Sequence, residues 1–186
     1  EREFDYYTAV DDLVGDEVLD DAGAGMIGDT EFNSNCYYMY YNLDLDQLIR
    51  NLGGITEPVL VAREAAKALL RAFAYTNPAG KQNSFAAHQL PSVIYVELKS
   101  DKIPVSYANA FLKPAQATAE KDLVTVSAEK LIAQINETRK YFNDIRVEKR
   151  IWLAPAGLAG RPEEAEVAGN IQDLFRIVED TLREVG

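Results

Sequence analysis

The first strong pattern along the chain is a burst of aromatic and β-branched residues from Phe4 to Val10, closed by Asp11-Asp12, which predicts a strand. Residues 11–29 carry Gly15, Gly23, Gly25 and Gly28 and predict no lasting regular structure. A loop of that length in a compact domain is usually functional or disordered. Phe32 to Leu43, dense in tyrosine, predicts a second long strand. Two strands around a glycine-rich excursion predict a long hairpin whose tip leaves the body.

The pattern then changes to a helical period. Leu45 to Leu52 predicts a short helix with Asp44 as N-cap and Gly53-Gly54 as its stop. Thr56 can cap a helix from Glu57 to about Tyr75, whose Val59, Ala62, Ala66, Leu69, Leu70 and Phe73 share a face. Asn77-Pro78 ends it. Val93 to Leu98 alternates as a strand does, Ser100-Asp101-Lys102 reads as a turn, and Ile103 to Ser106 as a short return strand, held to a sheet edge by Pro104. Ser127 is the expected cap of a helix running to about Asp144, with Leu131, Ile135, Phe142 and Ile145 inward. Lys149 to Leu153 predicts a strand. Pro162 is the expected first turn of a last helix, with a stripe of Val167, Ile171, Leu174, Val178 and Leu182. From Phe32 onward the order is β-α-β-β-α-β and a helix, the ferredoxin-like arrangement that RNA-recognition domains also use. The expected class is α+β. Such a fold does not by itself give a function.

Composition narrows the classes. The chain has 186 residues, 47% hydrophobic and 26% charged, enough for one domain with a real core. Cys36 is the sole cysteine, which excludes an internal disulfide and a cysteine-based zinc cluster. No apolar run approaches the roughly 20 residues of a membrane span, no signal-peptide pattern opens the sequence, and a cytoplasmic location is expected. The net charge is −11, unevenly spread. Of the 30 acidic residues, eleven fall within 1–31, where Arg2 is the only base, so the remainder is close to neutral. The acidic stretch reads as a solvated loop. The sequence starts at Glu1 inside what reads as a strand, and the expectation is that a preceding portion of the protein is absent from it.

Catalytic motifs are scarce. His88 is the only histidine, so a histidine-rich metal site is excluded, and it reads as a packed or hydrogen-bonded residue. No Gly-x-Ser-x-Gly elbow is present. Gly23-Ala-Gly25-Met-Ile-Gly28 has dinucleotide-motif spacing but precedes a strand-like run, not a helix. Asp11-Asp12 and Asp20-Asp21 could hold a divalent cation, but without ligand spacing solvated acids are the better reading. No enzyme activity and no cofactor are expected. Asn77 to Ser84 is more suggestive. Its Pro-Gly loop offers main-chain N–H groups, and Lys81, Gln82, Asn83 and Ser84 add donors that suit phosphate or sugar oxygens or simply a well-bonded loop. Tyr6, Tyr7 and the tyrosines of 37–41 could stack on bases or be core residues. Tyr6 and Tyr7 are adjacent, so on a strand they point to opposite faces and only one can enter the core.

Five blocks carry a further signal: Asp5-Tyr-Tyr-Thr-Ala-Val-Asp-Asp-Leu13, the glycine-rich stretch ending in Glu31-Phe32, Asn42-Leu-Asp-Leu-Asp-Gln-Leu48, Gly80-Lys-Gln-Asn-Ser-Phe-Ala-Ala87, and Ala108-Asn-Ala-Phe-x-Lys-Pro114. Together they resemble the CasC family, the backbone subunit of the type I-E CRISPR Cascade complex, in its C-terminal portion. The resemblance runs from Asp5 to about Pro114. It implies an RRM-like palm with a protruding β-hairpin thumb: residues 1–43 would form two strands and the thumb (loop about 11–30), and 44–186 the α+β palm portion with a C-terminal helix. The N-terminal half of the family, holding the rest of the palm and the fingers, would be absent.

The resemblance further implies a guide RNA (crRNA)-binding subunit that oligomerises along the guide and kinks it with the thumb for target DNA recognition. Its partners would be CRISPR RNA, target DNA, neighbouring copies and other Cascade subunits, with no membrane. Tyr6, Tyr7 and Thr8 fall where the family's thumb touches guide and target. Met26 and Ile27 fall at its apolar wedge, which replaces lost base stacking with hydrophobic contact. Lys81, Gln82 and Asn83 would lie on the palm, against RNA or a neighbouring subunit. The acidic run Asp16-Glu-Val-Leu-Asp-Asp21 departs from this pattern and would repel RNA. Most phosphate-contacting basic residues of the family precede this sequence, so the chain alone should bind RNA poorly. The alternative is a ferredoxin-like protein–protein interaction module without nucleic-acid binding; an acidic metal-dependent nuclease is a third reading.

Overall fold

A buried carboxylate organises the larger part of this protein. The computed structural model describes residues 2–10, 23–33, 35–77, 86–158 and 160–185, with only the backbone described for 8–10, 23–26 and 185. It divides into two units, residues 1–37 and 38–186. The architecture is mixed α and β, as expected, with an antiparallel pair in the first unit and a three-stranded sheet with helices in the second.

In the first unit β1 (Arg2–Val10) pairs antiparallel with β2 (Gly23–Asn33). Arg2 stands opposite Asn33 and Thr8 opposite Ile27; Val10 then meets Gly23, an irregularity in which β2 spends more residues than β1. The hairpin is therefore real, but its second strand lies earlier than the expected 32–43. Residues 23–30, expected within the loop, are strand, and 35–44 have no regular structure. Pairing the nearer segment leaves a shorter loop to close. The tyrosines of 37–41 instead make tertiary contacts: Tyr38 packs on Phe111 at 5.6 Å, and Tyr41 stacks on Phe73 at 3.6 Å and 11°.

In the second unit α1 (Leu45–Asn51) starts at the expected cap, where Asp44 Oδ1 accepts the Gln47 N–H at 2.9 Å. Helix α2 (Pro58–Tyr75) begins with proline in its first turn; the preceding Glu57 is left-handed and makes no side-chain cap, so Thr56 is not the capping residue. Strand β3 (Ile94–Lys99) pairs antiparallel with β4 (Val147–Leu153), and β5 (Glu166–Val167) adds in parallel, giving the order β3-β4-β5. The expected return strand at Ile103–Ser106 does not form: that stretch has no regular structure, and the strand paired with β3 is β4. The turn after β3 is held instead by Asp101, which accepts the Arg146 main-chain N–H at 2.8 Å and its guanidinium at 3.0 Å.

Helix α3 (Leu123–Tyr141) starts four residues before the expected Ser127 cap. Asp122 Oδ1 accepts the Thr125 N–H at 2.7 Å, and the Ser127 hydroxyl, inside the helix, donates to Leu123 O. The helix ends at Tyr141, so Phe142, expected inward, is an exposed C-cap. Helix α4 (Ile171–Val185) starts well after Pro162. Glu164 adopts φ 59°, which interrupts any helix there, and Val167 joins β5 instead of a helical stripe. Asn170 then caps α4 by accepting the Asp173 N–H at 3.0 Å.

The sheet is covered on both faces. On one, Ile151, Ala168, Leu174, Ile177 and Val178 are buried together, with Leu70, Ile94, Val96 and Leu153 packed against them. The opposite face carries Tyr95, Glu97 and Trp152, since side chains alternate along a strand. There Glu97 Oε1 accepts the hydroxyls of Tyr95 and Tyr107, each at 2.8 Å, and Arg139 Nε at 2.9 Å, while Oε2 pairs with Arg139 Nη2. Glu97 and Arg139 side chains are each 8% exposed. Burial, reinforced by the Glu97 charge, pushes both the Tyr95 and Tyr107 hydroxyls above the ordinary tyrosine pKa, so they remain donors at any physiological pH. The cluster joins β3, α3 and the 3₁₀ turn that follows Tyr107 (Ala108–Phe111).

Removing one partner of such a buried pair strands the other's charge. Arg139→Ala should therefore cost about 3–5 kcal/mol in urea unfolding. A loss under about 1 kcal/mol would show that the pair is solvated rather than sealed.

Candidate nucleic-acid interface

The register of the hairpin decides which of its side chains act together. Residues directly opposite share a face, and alternate residues along each strand continue it. Phe4, Tyr6, Ile27, Asp29 and Glu31 thus occupy one face, and Tyr7, Gly28, Thr30 and Phe32 the other. Tyr6 is 71% exposed, Ile27 77% and Tyr7 55%. Tyr6 and Tyr7 do point to opposite faces, and neither is buried. Tyr6 and Ile27 are diagonal neighbours, with Thr8 opposite Ile27 in the ladder. Met26 lies on the β2 backbone within the irregular stretch; its side chain is outside the described atoms, as is that of Thr8.

Gly28 has a role that spacing alone did not reveal. A Cβ built there would fall 2.5 Å from Cζ and Oη of Tyr7, closer than any carbon can approach. The Tyr7 ring therefore lies across the opposing strand where Gly28 leaves room, a cross-strand aromatic filling a glycine gap. About half of the Tyr7 surface stays open to solvent. Phe4 is the other residue that sequence reasoning passed over. It is 53% exposed beside Tyr6, and the i, i+2 spacing within the strand was its available signal.

The described strands of the hairpin carry Glu3, Asp5, Asp29 and Glu31 against Arg2, which pairs with Glu31 at 3.1 Å. The aromatic and aliphatic groups can stack or wedge, at about 1–3 kcal/mol per stacked base, but these strands bring little cation to a phosphate.

In the second unit, Lys81, Gln82 and Asn83 lie outside the described residues, and so do the aspartate pairs at 11–12 and 20–21. What is described is the base of the 78–88 segment, where Asn77 Nδ2 donates to Gln89 O at 2.9 Å and ties the two ends. His88, exposed, donates its main-chain N–H to Ala86 O at 2.9 Å. Among the described residues, no three His, Cys, Asp or Glu side chains gather as metal ligands, and no helix is long and apolar enough to cross a membrane.

Comparison with known proteins bears on residues 1–177, which match the model of a family described as CT1975-like protein. No curated protein matches the chain. Among solved structures it is similar to a chain of a "CRISPR RNA-guided surveillance complex", at 24% identity and TM-score 0.73, covering 100% of this chain and 66% of that one. It is likewise similar to a chain of a "CRISPR RNA-guided surveillance complex, pre-nicking", at 25% identity and TM-score 0.71, covering 98% of this chain and 46% of that one. The chain thus spans less than two thirds of either.

The Tyr7–Gly28 packing is directly measurable. The Gly28 α-proton resonances should be displaced upfield by the ring current, and Tyr7→Leu should return them to ordinary glycine positions. Wild-type resonances already at ordinary positions would mean that the ring does not lie over the strand.

Proposed function

The chain belongs to the CT1975-like protein family, and on that premise we propose that it is a non-catalytic, guide RNA-binding backbone subunit of a CRISPR surveillance complex of the type I-E Cascade kind. The observation that carries the proposal is the match along all of this chain to a subunit of an RNA-guided surveillance complex. The exposed residues of the hairpin support it independently. In this reading copies of the chain line the guide RNA in the cytoplasm, together with other subunits, and the guide pairs with target DNA.

The hairpin supplies the bend. Ile27, with Met26 beside it in sequence, enters the nucleotide stack as an apolar wedge, and the exposed rings of Tyr6 and Tyr7 offer stacking surfaces for the displaced bases. Thr8 stands opposite Ile27 in the ladder. Lys81, Gln82 and Asn83 contribute donors to phosphate, sugar or a neighbouring subunit. The wedge needs no cations, which is consistent with an acidic hairpin: the phosphate charge is met elsewhere in the assembly.

A second reading rests on the same acidity. Four acids to one base on the described strands favour a ferredoxin-like module that binds protein and leaves nucleic acid alone. A gel shift of the full-length protein with a repeat-containing guide RNA over a salt series separates the two. Guide binding should weaken steeply and linearly in log–log form as salt rises; no shift at any salt concentration would leave the protein-binding module standing.

The wedge has its own test. Replacing Met26 and Ile27 together by Gly should erase the periodic pattern of nuclease protection along the guide while assembly is retained. Unaltered periodicity in a normally assembled variant would remove the wedge from the mechanism.

A further inference from the structure

The hairpin face that carries Phe4 and Tyr6 combines two features that suit one kind of partner. The two residues follow each other at i, i+2 on β1 and therefore project from the same face. A strand advances about 6.7 Å over two residues, twice the repeat of about 3.4 Å between neighbouring bases. Two rings so spaced leave room for one planar base between them. Phe4 is 53% exposed and Tyr6 71%, and neither packs on another ring among the described residues. The opposing strand sets acids in the same rows: Glu31 stands opposite Phe4 and Asp29 opposite Tyr6. Glu31 is taken up by Arg2 at 3.1 Å, whereas Asp29 is exposed and has no ion pair among the described residues. Directly opposite residues have Cβ atoms about 5 Å apart, which brings this carboxylate beside whatever rests on Tyr6.

We infer that this face is a clamp for a single displaced base, with Phe4 as a further binding residue: the rings of Phe4 and Tyr6 enclose the base, and Asp29 accepts hydrogen bonds from its edge. The inference rests on the guide-binding reading above and names what the ribbon holds. An ionised carboxylate accepts hydrogen bonds and donates none. It therefore repels phosphate oxygens and favours N–H groups, so a nucleotide meets this face by its base and not by its backbone. The acidity that makes these strands unsuited to phosphate thus gives the bound nucleotide its orientation. Unstacked single-stranded bases are held in this manner elsewhere, stacked on aromatic rings and bonded along their edges. Adenine, cytosine and guanine each offer Asp29 an exocyclic amino group. Uracil offers only its N3–H, flanked by two carbonyl oxygens that repel the carboxylate. The clamp accepts all four and holds uracil least.

The clamp is read by removing the base and the ring in turn. Abasic residues are stepped one position at a time along a repeat-containing guide RNA, and affinity for the full-length protein is measured for each. At the clamped positions loss of the base should weaken wild-type binding about fivefold or more. Phe4→Leu should abolish most of that penalty, and Phe4→Tyr, which keeps a ring, should retain it, a contrast that a merely structural role would not produce. If Phe4→Leu fails to fold by circular dichroism, Tyr6→Leu should show the same loss. A full abasic penalty in a folded Phe4→Leu or Tyr6→Leu protein would overturn the inference. So would wild-type binding that no abasic position weakens, which would leave the face to a protein partner. Failure to bind the intact guide at all would instead bring down the guide-binding reading, and the clamp with it. Placed at a clamped position, guanine, adenine and cytosine should each bind several-fold more tightly than uracil. Asp29→Asn, whose amide both donates and accepts, should level that difference; a preference unchanged in Asp29→Asn, or missing from the wild type, would overturn the role of Asp29.

Discussion

The carboxylate of Glu97 is the point on which the larger unit turns. A buried carboxylate is costly unless its oxygens are met by donors, and here a guanidinium and two phenols from β3, the segment before the 3₁₀ turn and α3 supply them. Tyr95 and Tyr107 lie within ten residues of Glu97, whereas Arg139 comes from 42 positions further along the chain. The requirement to satisfy one charge therefore sets where α3 and the 106–111 turn lie on the sheet. The apolar cluster on the other face supplies non-directional burial; the Glu97 cluster supplies direction.

The hairpin follows a different physical logic. A two-stranded ribbon is marginal alone in water, and this one leaves rings and an isoleucine open on both faces. Surface of that kind is suited to planar or apolar partners. Its acids are unsuited to phosphate, so affinity for a polyanion cannot originate in these strands. The proposed division is that the ribbon shapes a nucleic acid which other parts of an assembly hold. The glycine at 28 fits this picture, because a side chain there would displace the Tyr7 ring from the strand.

Local signals in the sequence identified most elements and failed at their ends. Asp44 as a helix cap, Pro58 to Tyr75 as a helix, and strands at β3 and β4 follow from residue chemistry acting within a few positions. Ser127 was the wrong cap because Asp122, five positions earlier, offers its carboxylate to the Thr125 N–H and the helix starts there. Pro162 was the wrong start because Glu164 turns left-handed and β5 claims the next residues. The second hairpin strand was placed late because the tyrosines of 37–41 have strong strand character, which tertiary contacts with Phe73 and Phe111 override.

For the candidate interface, the sequence alone determined that Tyr6 and Tyr7 must face opposite ways and that a glycine-containing hairpin joins them to Met26 and Ile27, because strand alternation is a local property of the backbone. Tertiary structure alone decided that Ile27 shares a face with Tyr6, that Tyr7 lies over Gly28, and that Tyr38 reaches Tyr107. Pairing register and long-range hydrogen bonds depend on which distant groups compete for the same partner, and that competition is resolved only when the whole chain has folded.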